Sequence, residues 1–106
     1  MIRRNVVLSP DAQADLVDLF DWITGQASSE VALAYGARLE AYIMGFDVAS
    51  ERGTRHDHIR PGLRTTGFER RLTIAFEVTP DRVTILGFFP GGRDWTAILG
   101  DAGKAG

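Results

Sequence analysis

The sequence contains no cysteine and one lysine, Lys104. Without thiols there is no disulfide framework and no thiolate chemistry, a usage that agrees with a reducing cytoplasm. Histidine occurs only as His56 and His58. That pair cannot complete a zinc site of the usual nitrogen and sulfur type, and its spacing does not match the helical metalloprotease pattern. No apolar run approaches the ~20 residues that span a bilayer. Pro10 interrupts the N-terminal stretch before a signal-peptide core can form. No serine stands in a nucleophile elbow, and Gly91-Gly92 lacks the Lys and Ser or Thr of a phosphate loop. These absences lead to the expectation of a soluble cytoplasmic protein with no catalytic residues, no metal and no cofactor. Its 106 residues suit one domain over 1–99 and a flexible Gly-rich tail over 100–106.

What is present centres on the stretch from Gly62 to Trp95. Leu72 to Val78 and Val83 to Phe89 alternate in polarity and flank Thr-Pro-Asp, so they read as an antiparallel hairpin. Pro80 presets φ at the first central turn position and Asp81 suits the second. Strict alternation puts Leu72, Ile74, Phe76 and Val78 on one face. On the partner strand it groups Val83, Ile85 and Gly87 against Thr84, Leu86 and Phe88. Leu63 to Thr66 reads as the preceding strand, and Glu51 to Pro61 as an irregular polar loop.

Two strands alone are marginal in water, so the hairpin needs an apolar cover. Arg3 to Leu8 reads as a first strand. Ser9-Pro10 then starts a helix, with Ser9 capping free amides and Pro10 where its missing N–H costs nothing. Ala12, Leu16, Leu19, Phe20 and Ile23 share one face of it, while Asp11, Asp15, Asp18 and Trp22 form a row on another. Gly25 is a plausible terminator. Ser28 or Ser29 caps a second helix whose stripe is Ala32, Tyr35, Leu39, Tyr42, Phe46 and Ala49. The fold class expected is α+β, with an N-terminal strand and an antiparallel helical hairpin on one face of a mostly antiparallel sheet, in the order β-α-α-β-β-β. A helical turn over Thr96 to Leu99 follows.

Charge is distributed unevenly. From Asp11 to Glu51 eight carboxylates face Arg38 alone, whereas Arg52 to Trp95 holds eight arginines against five acids. Such asymmetry admits a face for an acidic partner or an ordinary preference for Arg. Arg64, Arg70 and Arg71 are read as gathering opposite the helices or at strand ends, where guanidinium groups can hold carboxylates or phosphates. Arg93 and Trp95 make a recognition tip or a structural turn, with Asp94 favoured as a cap. Trp22, Tyr35 and Tyr42 are expected in a groove between hairpin and sheet.

The motifs Leu8-Ser-Pro-Asp-Ala-Gln-Ala-Asp-Leu and Phe20-Asp-Trp-Ile, then Arg60-Pro-Gly-Leu-Arg and Gly91-Gly-Arg-Asp, resemble those of ParE toxins in the RelE/ParE superfamily. The resemblance runs from about Val6 to Trp95 and implies that superfamily's fold. It further implies the toxin of a type II toxin–antitoxin module that inhibits DNA gyrase by binding. Neutralisation would come from a ParD-like antitoxin whose disordered segment folds on the toxin, so that DNA is contacted only through the antitoxin. The ribonuclease branch carries an arginine where this chain has Thr73, and a Tyr or His-Tyr where it has Phe88-Phe89-Pro90. The alternatives are a ribosome-dependent mRNA endoribonuclease and a non-toxic antitoxin-binding module. Arg64, Arg71 and Arg93 are expected to meet acidic side chains of the antitoxin.

Overall fold

The structure is a computed structural model that describes residues 3–91. The helical turn read over Thr96 to Leu99 and the tail over 100–106 lie outside the described residues.

Ser9 starts the first helix as expected. Its Oγ accepts the Ala12 N–H at 3.1 Å, and Pro10 opens α1, Pro10–Gln26. Gly25 does not end it. Thr24 Oγ1 bonds back to the Phe20 carbonyl, Ala27 N–H reaches the Ile23 carbonyl, and the chain leaves the helix only at Ala27. Ser28 then caps α2, Ser29–Met44, by accepting the Val31 N–H. The two-residue connection makes an antiparallel pair. After α2 the chain tightens into a single 3-10 turn, Gly45–Asp47. The tighter winding rotates Ala49 outward and brings Ser50 in, where its Oγ donates to the Phe46 carbonyl at 2.6 Å.

Five strands follow or flank the helices: β1 (Asn5–Leu8), β2 (Thr54–Arg55), β3 (Leu63–Phe68), β4 (Leu72–Val78) and β5 (Arg82–Pro90). They form one sheet in the order β1-β5-β4-β3-β2. β1 runs parallel to β5, and the other pairings are antiparallel, so the layered α+β architecture read from the sequence is present. β2 falls inside the stretch expected to be irregular. Two residues are too few to show alternation, and only their pairing with Arg64 and Thr65 defines the strand. The β4–β5 turn is the one the sequence encodes: Thr79 and Arg82 exchange backbone bonds around Pro80 and Asp81.

The helices cover one face. Leu39, Ile43 and Phe46 pack with Ala12 and Leu19 against Leu72, Ile74, Phe76, Val83, Ile85 and Phe88. Ile43 replaces Ala49 in the expected stripe. Directly paired residues share a face, and the pairing shifts along β5. Phe76 lies opposite Ile85, but Ala75 lies opposite Gly87, leaving Leu86 as the extra residue of a β-bulge. Beyond it the alternation inverts. Phe88 joins the core beneath the helices instead of the face shared with Thr84, and Phe89 turns to the back with Leu63 and Ala75, under Ile59.

The same stretch of β5 outlasts its neighbour, because β1 stops at the Leu8–Ile85 pair. Helix α1 supplies what the missing strand would have given. Ser9 N–H donates to the Ile85 carbonyl, Ser9 Oγ to the Leu86 carbonyl at 3.3 Å, and Asp15 Oδ2 accepts the Phe88 N–H at 3.1 Å. Polar backbone groups near a core require such partners.

Candidate partner-binding groove

The row of side chains at helical spacing on α1, Asp15, Asp18 and Trp22, faces the end of the sheet where β4 begins and β5 stops. Between them lies a groove of about 790 Å³. Leu19, Ile23, Leu72 and Phe88 make its floor, and Tyr35, Arg71, Pro90 and Gly91 its far wall. Trp22 stands on the rim with 60% of its surface exposed. An aromatic of this size left open beside an apolar floor is the chemistry of a binding anchor. Burying its exposed part would contribute about 3–4 kcal/mol before ordering costs, at ~25 cal/mol per Å².

The β3–β4 tip shapes the far wall. Glu69 and Arg70 both take left-handed backbone angles, φ 48° and 66°. Arg38 of α2 clamps the tip with two bonds to Glu69, at 2.7 and 3.1 Å. The Arg38 bond holds the Glu69 carboxyl below its ordinary value. Tyr35 packs edge-on against Phe68, at 5.6 Å between ring centres, with the Arg38 guanidinium over its ring. Burial, then the Glu69 charge, raises the Tyr35 phenol above its usual pKa, so the groove meets a neutral hydroxyl at physiological pH.

Of the residues singled out in the sequence, the groove unites Trp22, Tyr35 and Arg71. Tyr42 is absent from it. Its ring lies between Phe46 and Phe68, and its hydroxyl reaches Thr66 Oγ1 at 3.3 Å and the Gly67 carbonyl at 3.4 Å. The arginines do not gather. Arg70 is exposed on the tip, and Arg71 lies one residue beyond it in the groove wall. Arg64 occupies the opposite end of β3, on the helix side of the sheet, with Nη1 on the Arg52 carbonyl at 3.2 Å. Arg64 and the tip are thus separated by roughly 15 Å of strand. Arg93 and Trp95 lie outside the described residues. Asp15, Asp18, Leu19, Ile23, Leu72, Phe88, Pro90 and Gly91 complete the groove and were not singled out for it. The spacing of Asp15, Asp18 and Trp22 was legible, and what it did not reveal is which neighbour that row faces.

A second, shallower concavity of about 410 Å³ surrounds Arg64, with Arg4, Arg55, Glu51 and Asp57 in its lining. Here the arginines are largely committed: Arg55 bonds Asp57 at 2.6 and 2.9 Å, and Arg4 Nε donates to the Thr79 carbonyl. The Gly62 N–H, followed by Arg55, holds Asp57 below its ordinary value. His56 Nε2 lies 2.8 Å from Thr65 Oγ1. Burial, then the neighbouring His58, lowers the His56 pKa. Among the described residues no group of three or more His, Cys, Asp or Glu could hold a metal ion. No helix among them is long and apolar enough to cross a membrane.

Residues 6–95 match the family described as the ParE toxin of type II toxin-antitoxin system, parDE. Among solved structures, one titled "Chromosomal ParDE TA system from P. aeruginosa" aligns with a TM-score of 0.71. It is 23% identical, over 84% of this chain and 97% of that chain, a likeness that shows the shared fold. No curated protein matches the sequence.

Proposed function

Because the chain belongs to the ParE toxin family of type II toxin–antitoxin systems, we propose that it blocks DNA gyrase by binding and that a ParD-like antitoxin neutralises it by laying a segment into the Trp22 groove. The observation that carries the antitoxin half is the groove itself. It combines an apolar floor, an exposed Trp22 and charged groups of both signs, Asp15, Asp18 and Arg71, at its margins. A disordered segment that orders on such a surface offsets its entropy cost by burying apolar side chains there. The carboxylates add a requirement the sequence did not suggest: the incoming segment carries a cation beside its apolar residues, besides the acid expected to meet Arg71.

The reading of gyrase block without RNA cleavage is supported by what occupies the back of the sheet. Thr73 and Phe89 pair there, beside Ala75 and Leu63. Thr73 is where the ribonuclease branch is expected to carry an arginine, and Phe89 belongs to the Phe88-Phe89-Pro90 stretch where it is expected to carry a Tyr or His-Tyr. Arg64 and Arg71, the pair that could have served a phosphate, sit at opposite ends of the strand ladder.

Two measurements test the proposal. Purified chain is expected to inhibit gyrase supercoiling, and full supercoiling at large molar excess would refute the target. Titration with a ParD-like antitoxin is expected to shift tryptophan fluorescence, and Trp22→Ala to remove that shift. Trp22→Ala should weaken that complex by about 30-fold or more, the effect of removing a ~2 kcal/mol anchor. Unchanged affinity in Trp22→Ala would move the antitoxin off this groove.

A further inference from the structure

Helix α2 has two apolar faces. The inner one, Ala32, Leu39 and Ile43, is buried. On the opposite side Leu33 is 62% exposed and Met44 53%, with Ala37 and Ala41 exposed between them. The steps are four, four and three residues, the spacing of a face that packs, whereas an outer face is ordinarily polar. Helix α1 widens the strip. Phe20 lies 3.8 Å from the position a Cβ on Gly36 would take. In an antiparallel pair, one turn back along α1 is one turn forward along α2, so Val17, 59% exposed, falls level with Glu40, beside the Ala37–Ala41 part of the row. Contiguous exposed apolar surface of this kind marks an interaction site.

The charges around the strip say what fits it. Glu30 lies one turn before Leu33 and Glu40 one turn after Ala37, and the single cation of α1 and α2, Arg38, is engaged by Glu69. The strip is therefore apolar along its length, with the carboxylates of Glu30 and Glu40 beside it. We propose that this outer face of the helical hairpin is a second docking surface, fitted to an amphipathic helix of a protein partner that flanks its apolar side with Lys or Arg. A second copy of the chain would set carboxylates against carboxylates. An anionic membrane would be repelled in the same way. None of the strip's residues lines the Trp22 groove, so the two surfaces are independent and this inference does not rest on the function proposed above.

The test uses the full chain, 15N-labelled, and a synthetic amphipathic helical peptide with leucines on one side and lysines on its flanks. Amide shifts are expected at Val17, Leu33, Ala37, Ala41 and Met44. Leu33→Gln combined with Met44→Gln should weaken binding by about tenfold or more, and Glu40→Lys should weaken it further. Raising salt from about 50 to 300 mM should weaken it several-fold, as the screening length falls. Trp22→Ala should bind the peptide as the parent does. Far-UV circular dichroism of each variant reports that the helices persist, which exposed positions allow. Shifts confined to Trp22 and Leu72, or equal affinity for a leucine and glutamate peptide, would overturn the proposal. So would self-association of the free chain that the Gln variants abolish.

Discussion

Replacing Asp15 by alanine isolates the role α1 plays at the edge of the sheet. The carboxylate accepts the Phe88 N–H at 3.1 Å, beyond the last β1–β5 pair, where no strand can take that bond. Removing it leaves a part-buried donor unpaired, which costs ~1–3 kcal/mol. The groove beside Asp15 admits water, so the lower half of that range, about 1–2 kcal/mol, is expected. For a domain of this size that lowers Tm by roughly 5–10 °C. Asp15→Asn keeps an acceptor but loses the charge, and charge-assisted bonds are about twice as strong as neutral ones. It should therefore lose about half as much. Asp18→Ala, on the same side of α1 but outside the Phe88 contact, is the control and should stay within about 0.5 kcal/mol of the parent. Urea unfolding followed by far-UV circular dichroism measures all three. An Asp15→Ala midpoint equal to the parent's would refute the view that the helix completes the sheet. Equal losses in Asn and Ala would assign the effect to charge in place of the acceptor.

Gly36→Ala should stabilise the chain by about 0.5–1 kcal/mol in the same assay, since the new methyl meets Phe20 at ordinary contact distance inside a helix. Gly87→Ala should do the opposite, by about 1–3 kcal/mol, because its Cβ would fall 2.7 Å from the Phe89 ring and 3.1 Å from Asp15. Burial and His58 hold the His56 pKa below its ordinary 6.5. The unfolded chain then binds the proton more readily, so His56's contribution is complete above pH 6.5 and lost as pH falls through the folded value. The slope of stability against pH in that window should flatten in His56→Gln. Binding of the antitoxin should weaken in Arg71→Ala and be indifferent to Arg64→Ala, which lies at the other end of β3; pull-down of the co-expressed pair reads both.

Much of the fold could be read before the structure because its signals are local. Ser9-Pro10 names a helix start within two residues, and Thr79-Pro80-Asp81 names a turn. Gly25 misled because a glycine near a helix end stops nothing by itself, and the Ser28 cap just beyond it sets the break. The bulge at Leu86 left no local mark, yet it decides which face every later residue of β5 takes, and so moved Phe88 into both core and groove. The groove was legible one residue at a time. Trp22 and Tyr35 advertise themselves by type. Their meeting with Arg71 depends on the left-handed tip at Glu69 and Arg70, conformations that non-glycine residues seldom adopt and that Arg38 helps to hold. Tyr42 has the same composition signal as Tyr35, but its hydroxyl found Thr66 and Gly67 on β3, which no spacing rule reports.

The pairing of Asn5–Leu8 with Arg82–Ile85 has a consequence for how the chain comes into being. β1 waits for a partner 77 residues later, so this edge of the sheet cannot close until those residues have been made. At 5–20 residues per second that wait lasts roughly 4–15 s. Throughout it the Trp22 groove is incomplete, because Phe88 of its floor and Pro90 of its wall arrive with the last strand. On the reading proposed above, a nascent copy cannot yet receive the antitoxin segment.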